Sequence, residues 1–113
     1  FAIAGTFWDP VPGTCPDPAR TLVHVHGLSD SVVPLGGRAI GRTRQGDVRA
    51  ALALFLLTGD FGPPAPVPAE GLACTRRETP DGRSLTFCTH PGGHSLTTGY
   101  IRTAFVQAGM TAP

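Results

Sequence analysis

The 113-residue chain contains no lysine, and its nine basic residues, all arginine, face eight acids for a formal charge of +1. No more than two basic residues stand side by side, as at Arg76-Arg77. Without a basic stripe there is no electrostatic footprint for a nucleic acid, and no nucleic-acid partner is expected. Long apolar runs are missing too. The longest, from Ala50 to Leu57, is far short of the roughly 20 residues that span a bilayer, so no membrane segment is expected. There is no initiating Met and no basic-then-apolar leader before Phe1, so upstream sequence removed by processing or cleavage is expected. What is plentiful is glycine (15) and proline (12), which puts much of the chain in ordered loops between recognisable apolar segments. A 41% apolar content suffices for one small domain spanning 1–113.

Cysteine is scarce but patterned. Cys74 and Cys88 lie equally far from Asp81, inside the turn sequence Thr79-Pro80-Asp81-Gly82. If 72–78 and 83–90 form an antiparallel hairpin about that turn, the two cysteines become cross-strand neighbours and a disulfide is feasible. A disulfide favours an oxidising compartment, hence secretion to the extracellular space or periplasm. Cys15 is left over, and its partner is expected in upstream sequence.

Phe1 to Ala4 reads as a brief buried strand, and Thr6 to Ala19 as an irregular loop broken by proline and glycine. Thr21 to His26 is β-branched and apolar, bounded by Arg20 and Gly27, as expected of a central parallel strand buried on both faces. Gly27 to Gly46 holds turn residues and scattered arginines. Asp47 then serves as the N-cap of a helix in which Val48, Leu52, Phe55 and Leu56 share a face, stopped by Gly59. The four prolines of 61–68 predict an extended connector. After the hairpin, Leu96 to Gln107 predicts a last helix with Ile101, Phe105 and Val106 inward, ended at Gly109. This order suits the later part of a doubly wound α/β sheet.

In such sheets reactive groups collect just beyond the carboxyl ends of strands. Asp30 stands there, in His26-Gly27-Leu28-Ser29-Asp30. Alone it reads as a turn aspartate capping its own loop. His94, in the glycine-rich His90-Pro91-Gly92-Gly93-His94-Ser95, also follows a strand and alone reads as a solvated turn residue. As a pair, the carboxylate would hold one ring nitrogen while the other takes a proton from a serine hydroxyl, with the acid preceding the histidine.

The segment Val23 to Pro34 resembles the acid segment of polyhydroxybutyrate depolymerase and feruloyl esterase type hydrolases. Gly92-Gly93-His94-Ser95 is similar to their histidine loop, and Cys74-Thr75-Arg76 to the cysteine-bearing strand before it. The resemblance implies the C-terminal portion of an α/β-hydrolase fold, a mostly parallel sheet flanked by helices. It also implies carboxylic ester hydrolysis without a cofactor, with Asp30 as acid and His94 as base. The nucleophile in such enzymes stands in a Gly-x-Ser-x-Gly elbow, and none of Ser29, Ser31, Ser84 or Ser95 has glycines at both offsets. The nucleophile half is thus expected elsewhere, on a second polypeptide or a swapped copy, and the isolated chain is expected to be inactive toward an ester or polyester substrate.

Two rival readings remain open. His24 and His26, two apart on one strand, share a face and with His90, His94 or Asp30 would suit a metal, although two histidines on a buried strand more often are satisfied core groups or support a neighbouring site. Phe7, Trp8 and Tyr100 would form the aromatic surface of a non-catalytic carbohydrate or polyester-binding module.

Overall fold

The computed structural model describes residues 1–111. Its main sheet has five strands: β1 (Ala2–Ile3), β2 (Thr21–Gly27), β7 (Ser84–His90), β6 (Ala73–Glu78) and β5 (Ala65–Val67), in that spatial order. β1 and β7 flank β2 in parallel, whereas β7–β6 and β6–β5 are antiparallel. A separate antiparallel hairpin joins β3 (Arg38–Ile40) to β4 (Thr43–Gln45). Helices α1 (Val48–Leu56) and α2 (Thr98–Gln107) complete the described residues.

This architecture corrects the expected fold class. With seven strands, two helices and 17% helix, the described residues do not form a mostly parallel sheet flanked by helices, as an α/β-hydrolase portion would. Its sheet is mixed, and the second sheet is wholly antiparallel. The excess strand content lies where the sequence shows no period. In the β3–β4 hairpin every residue but Gln45 is exposed, so no apolar alternation marks it, and Gly41 at φ 60° makes its turn. β5 contains Pro66 and lies within the predicted connector; an edge strand tolerates the missing N–H.

The elements with strong local chemistry form as expected. Asp47 caps α1, its carboxylate accepting from the amides of Arg49 (2.7 Å) and Ala50 (3.1 Å). Thr97 caps α2 by accepting from the Tyr100 amide, and Gly109 at φ 75° follows its end. The turn between β6 and β7 closes through Thr79, whose hydroxyl donates to the Asp81 carboxylate and accepts from the Arg83 amide at 2.9 Å. Cys74 lies directly opposite Cys88 in that hairpin, and the two form a disulfide. Cys15 is a free, half-buried thiol.

The core lies on both sheet faces. Val23, Val25, Cys74 and Cys88 pack with Ala104 of α2, while Leu85 packs with Val48, Leu52 and Phe55 of α1. α2 corrects the sequence reading in one respect. Thr103, Ala104 and Gln107 are its buried residues, Ile101 and Phe105 are half-buried, and Val106 is exposed. Gln107 turns inward because it has polar partners, donating to the Pro68 carbonyl (2.8 Å) and accepting from Arg76 (2.6 Å).

Candidate active site

Of the four histidines, His26, His90 and His94 lie at the carboxyl ends of β2 and β7 or in the loop just after β7, and His24 lies mid-strand in β2 with its ring against His26. The parallel register sets this up by placing His26 opposite Thr89 and Gly27 opposite His90. The loops leaving the two strands therefore start side by side and are tied together. The amide of Leu28 donates to the His90 carbonyl (2.8 Å), and that of Ser29 to the Gly92 carbonyl (3.0 Å). The Ser29 hydroxyl adds a bond to the Pro91 carbonyl at 2.8 Å. Gly27 is what permits this approach. A Cβ there would collide with the carbonyl oxygens of Gly92 and Gly93 and come within 2.9 Å of the His90 ring.

Within this frame the two residues singled out from sequence meet. His94 Nδ1 lies 2.9 Å from Asp30 Oδ2, across 64 residues of chain. Asp30 is fully buried at its side chain, while 41% of the His94 side chain stays open to solvent. The other carboxylate oxygen, Oδ1, accepts from the amides of Val32 (2.9 Å) and Val33 (2.8 Å). Burial alone disfavours the charge on Asp30, but the Val33 amide, His94 and the Val32 amide outweigh it, and its pKa falls below the ordinary 3.8. A buried carboxylate held ionised can only accept, so His94 Nδ1 carries the proton. In the neutral ring, Nε2 is then the unprotonated nitrogen, on a side chain 41% open to solvent.

Behind Asp30 lies a second pair. His26 Nε2 is 2.7 Å from the Val33 carbonyl, which only accepts, so that nitrogen carries a proton. In the neutral ring its Nδ1 accepts from His24 Nε2 at 3.1 Å, and the two rings stack at 5.3 Å between centroids. His24 is buried, and burial followed by the neighbouring His26 lowers its pKa from 6.5 to about 4. With both His26 nitrogens hydrogen-bonded, this strand pair offers no convergent lone pairs. Among the described residues no cluster of three or more ligating side chains has the geometry to hold a metal ion.

His90 is buried against Tyr100, with ring centroids 4.3 Å apart, and its Nδ1 accepts from the Gly92 amide at 3.1 Å. Its pKa is lowered by burial and by His26, with Asp30 opposing. Tyr100 is half-buried and stacked on His90. Phe7 and Trp8 do remain exposed, at 47% and 56%, on a segment hydrogen-bonded to the end of the β3–β4 hairpin.

From the sequence, Asp30 and His94 stand out because each follows a strand within a turn-forming segment. His24 and His26 are hydrogen-bonded core groups, the reading the sequence favoured over a metal site, whereas the packing of His90 on Tyr100 was not anticipated. No protein family, curated protein or solved structure matches this chain.

Proposed function

We propose that Asp30 and His94 are the acid and base of a serine-dependent carboxylic ester hydrolase. The observation that carries this reading is the His94 Nδ1 to Asp30 Oδ2 contact of 2.9 Å, with the acid buried and the base open to solvent. In the reaction His94 Nε2 takes the proton of a serine hydroxyl as its oxygen attacks the ester carbonyl. It then returns that proton to the departing alcohol, and the same steps with water release the acid. Asp30 keeps the imidazole in the required tautomer and offsets the positive charge it gains. The likeness of 23–34 and 92–95 to depolymerase and feruloyl esterase segments points to polyester or acyl-ester substrates.

Among the described residues no side chain hydrogen-bonds His94 Nε2, and the sequence holds no Gly-x-Ser-x-Gly elbow. The serine and its oxyanion-binding amides would therefore come from a different polypeptide or from chain beyond this sequence. The disulfide accords with action outside the cytoplasm. Labelling with a serine-directed fluorophosphonate, followed by mass analysis of every polypeptide present, tests the proposal. The expected adduct lies on a polypeptide bound to this chain and disappears with His94→Ala; labelling unaffected by that change would refute it.

A further inference from the structure

Asp30 must offer Oδ2 to His94 while remaining buried, and its rotation is governed by the loop that wraps it. Val33 is the hinge of that loop. Its amide donates to Asp30 Oδ1 at 2.8 Å, and its carbonyl accepts from His26 Nε2 at 2.7 Å. One residue therefore transmits the position of a strand side chain to the carboxylate. His26 itself is fully buried on β2, its ring pinned by the hydrogen bond and stacking from His24. Its Nε2 stands 3.6 Å from Asp30 Oδ2, too far for a hydrogen bond but close enough to add electrostatic support to the same oxygen.

The geometry points to His26 as a positioning residue for the acid–base pair: through the Val33 carbonyl it fixes the 30–33 loop, and thereby the orientation in which Asp30 receives His94. This rests on the proposed role of Asp30 and His94, yet its structural content is independent of catalysis. The requirement is one of reach. A donor must extend from position 26 to the Val33 carbonyl. An amide at the end of a glutamine side chain attains it, whereas an asparagine amide ends one methylene short and lies nearer the position of Nδ1.

The test is nitrogen–proton NMR of the full chain with 15N-labelled histidine, which reads the tautomer of each of the four rings and the proton held between His94 and Asp30. The unaltered chain is expected to show His94 and His26 protonated at Nδ1 and Nε2 respectively, with a slowly exchanging, far-downfield His94 proton. His26→Gln is expected to keep that proton and His26→Asn to lose it, while the amide spectrum of both remains that of a folded chain. Retention in both variants, or loss in both, would overturn the positioning role. Absence of the downfield proton and of the Nδ1–H tautomer in the unaltered chain would instead overturn the Asp30–His94 pair, and with it the proposed function.

Discussion

Acidification should destabilise this fold through His24 in particular. The ring is 5% exposed and its pKa falls from 6.5 to about 4, so the unfolded chain binds a proton there that the folded chain resists. Stability from this group is complete above pH 6.5, declines as pH falls through the interval to 4, and levels off below it. At 1.36 kcal/mol per pH unit, an interval of about 2.5 units corresponds to a loss of about 3 kcal/mol. That is a large share of the roughly 5–15 kcal/mol that holds a typical domain together. Urea unfolding at pH 7 and at pH 4, in the unaltered chain and in His24→Gln, isolates the contribution. Other groups titrate in both proteins, including His90, whose pKa is also lowered. The unaltered chain should lose about 3 kcal/mol more than the variant between the two pH values. Equal losses would refute the assignment of a buried, neutral His24.

Gly27→Ala should cost about 1–3 kcal/mol, because its methyl group meets carbonyl oxygens of the histidine loop that cannot move without breaking the ties to Leu28 and Ser29. A thermal unfolding midpoint unchanged from that of the parent would show that the loops are less tightly joined. Reduction of the disulfide, or a Cys74→Ser/Cys88→Ser double variant, should cost about 3 kcal/mol from the lost constraint on the unfolded chain across the 14-residue separation. Denaturant midpoints with and without reductant read this directly. In protein assembled with its nucleophile, Asp30→Asn should lower ester turnover by about four orders of magnitude, since an amide no longer enforces the His94 tautomer. Initial-rate kinetics would show it, and full activity would exclude the acid role.

The parts legible in the sequence share one property: a local code strong enough to act alone. The β-branched run of β2, the Asp47 cap and the symmetric placement of Cys74 and Cys88 about a turn each specify their structure within a few residues. Asp30 and His94 were legible because strand ends and glycine-rich turns mark where side chains emerge. The balance of parallel and antiparallel strands was not. It depends on β5, with a proline at an edge, and on a hairpin of exposed residues, both too weakly patterned to announce a strand. The inward turn of Gln107 likewise follows from partners at Pro68 and Arg76, far away in sequence. The coupling of His26 to Asp30 runs through the backbone of Val33, which no side-chain motif encodes.

β7 is paired on one side with a neighbour only a turn away and on the other with a strand some 60 residues distant. The near pairing closes a short loop and the far pairing a long one, so chain entropy orders the two events in time. On that ground the β6–β7 hairpin is expected to form before β2 pairs with it. Because Asp30 leaves the end of β2 and His94 follows the end of β7, acid and base meet only when that long-range zipper closes. A chain in which β2 has not paired with β7 thus lacks the Asp30–His94 contact, which is gained with that long-range pairing.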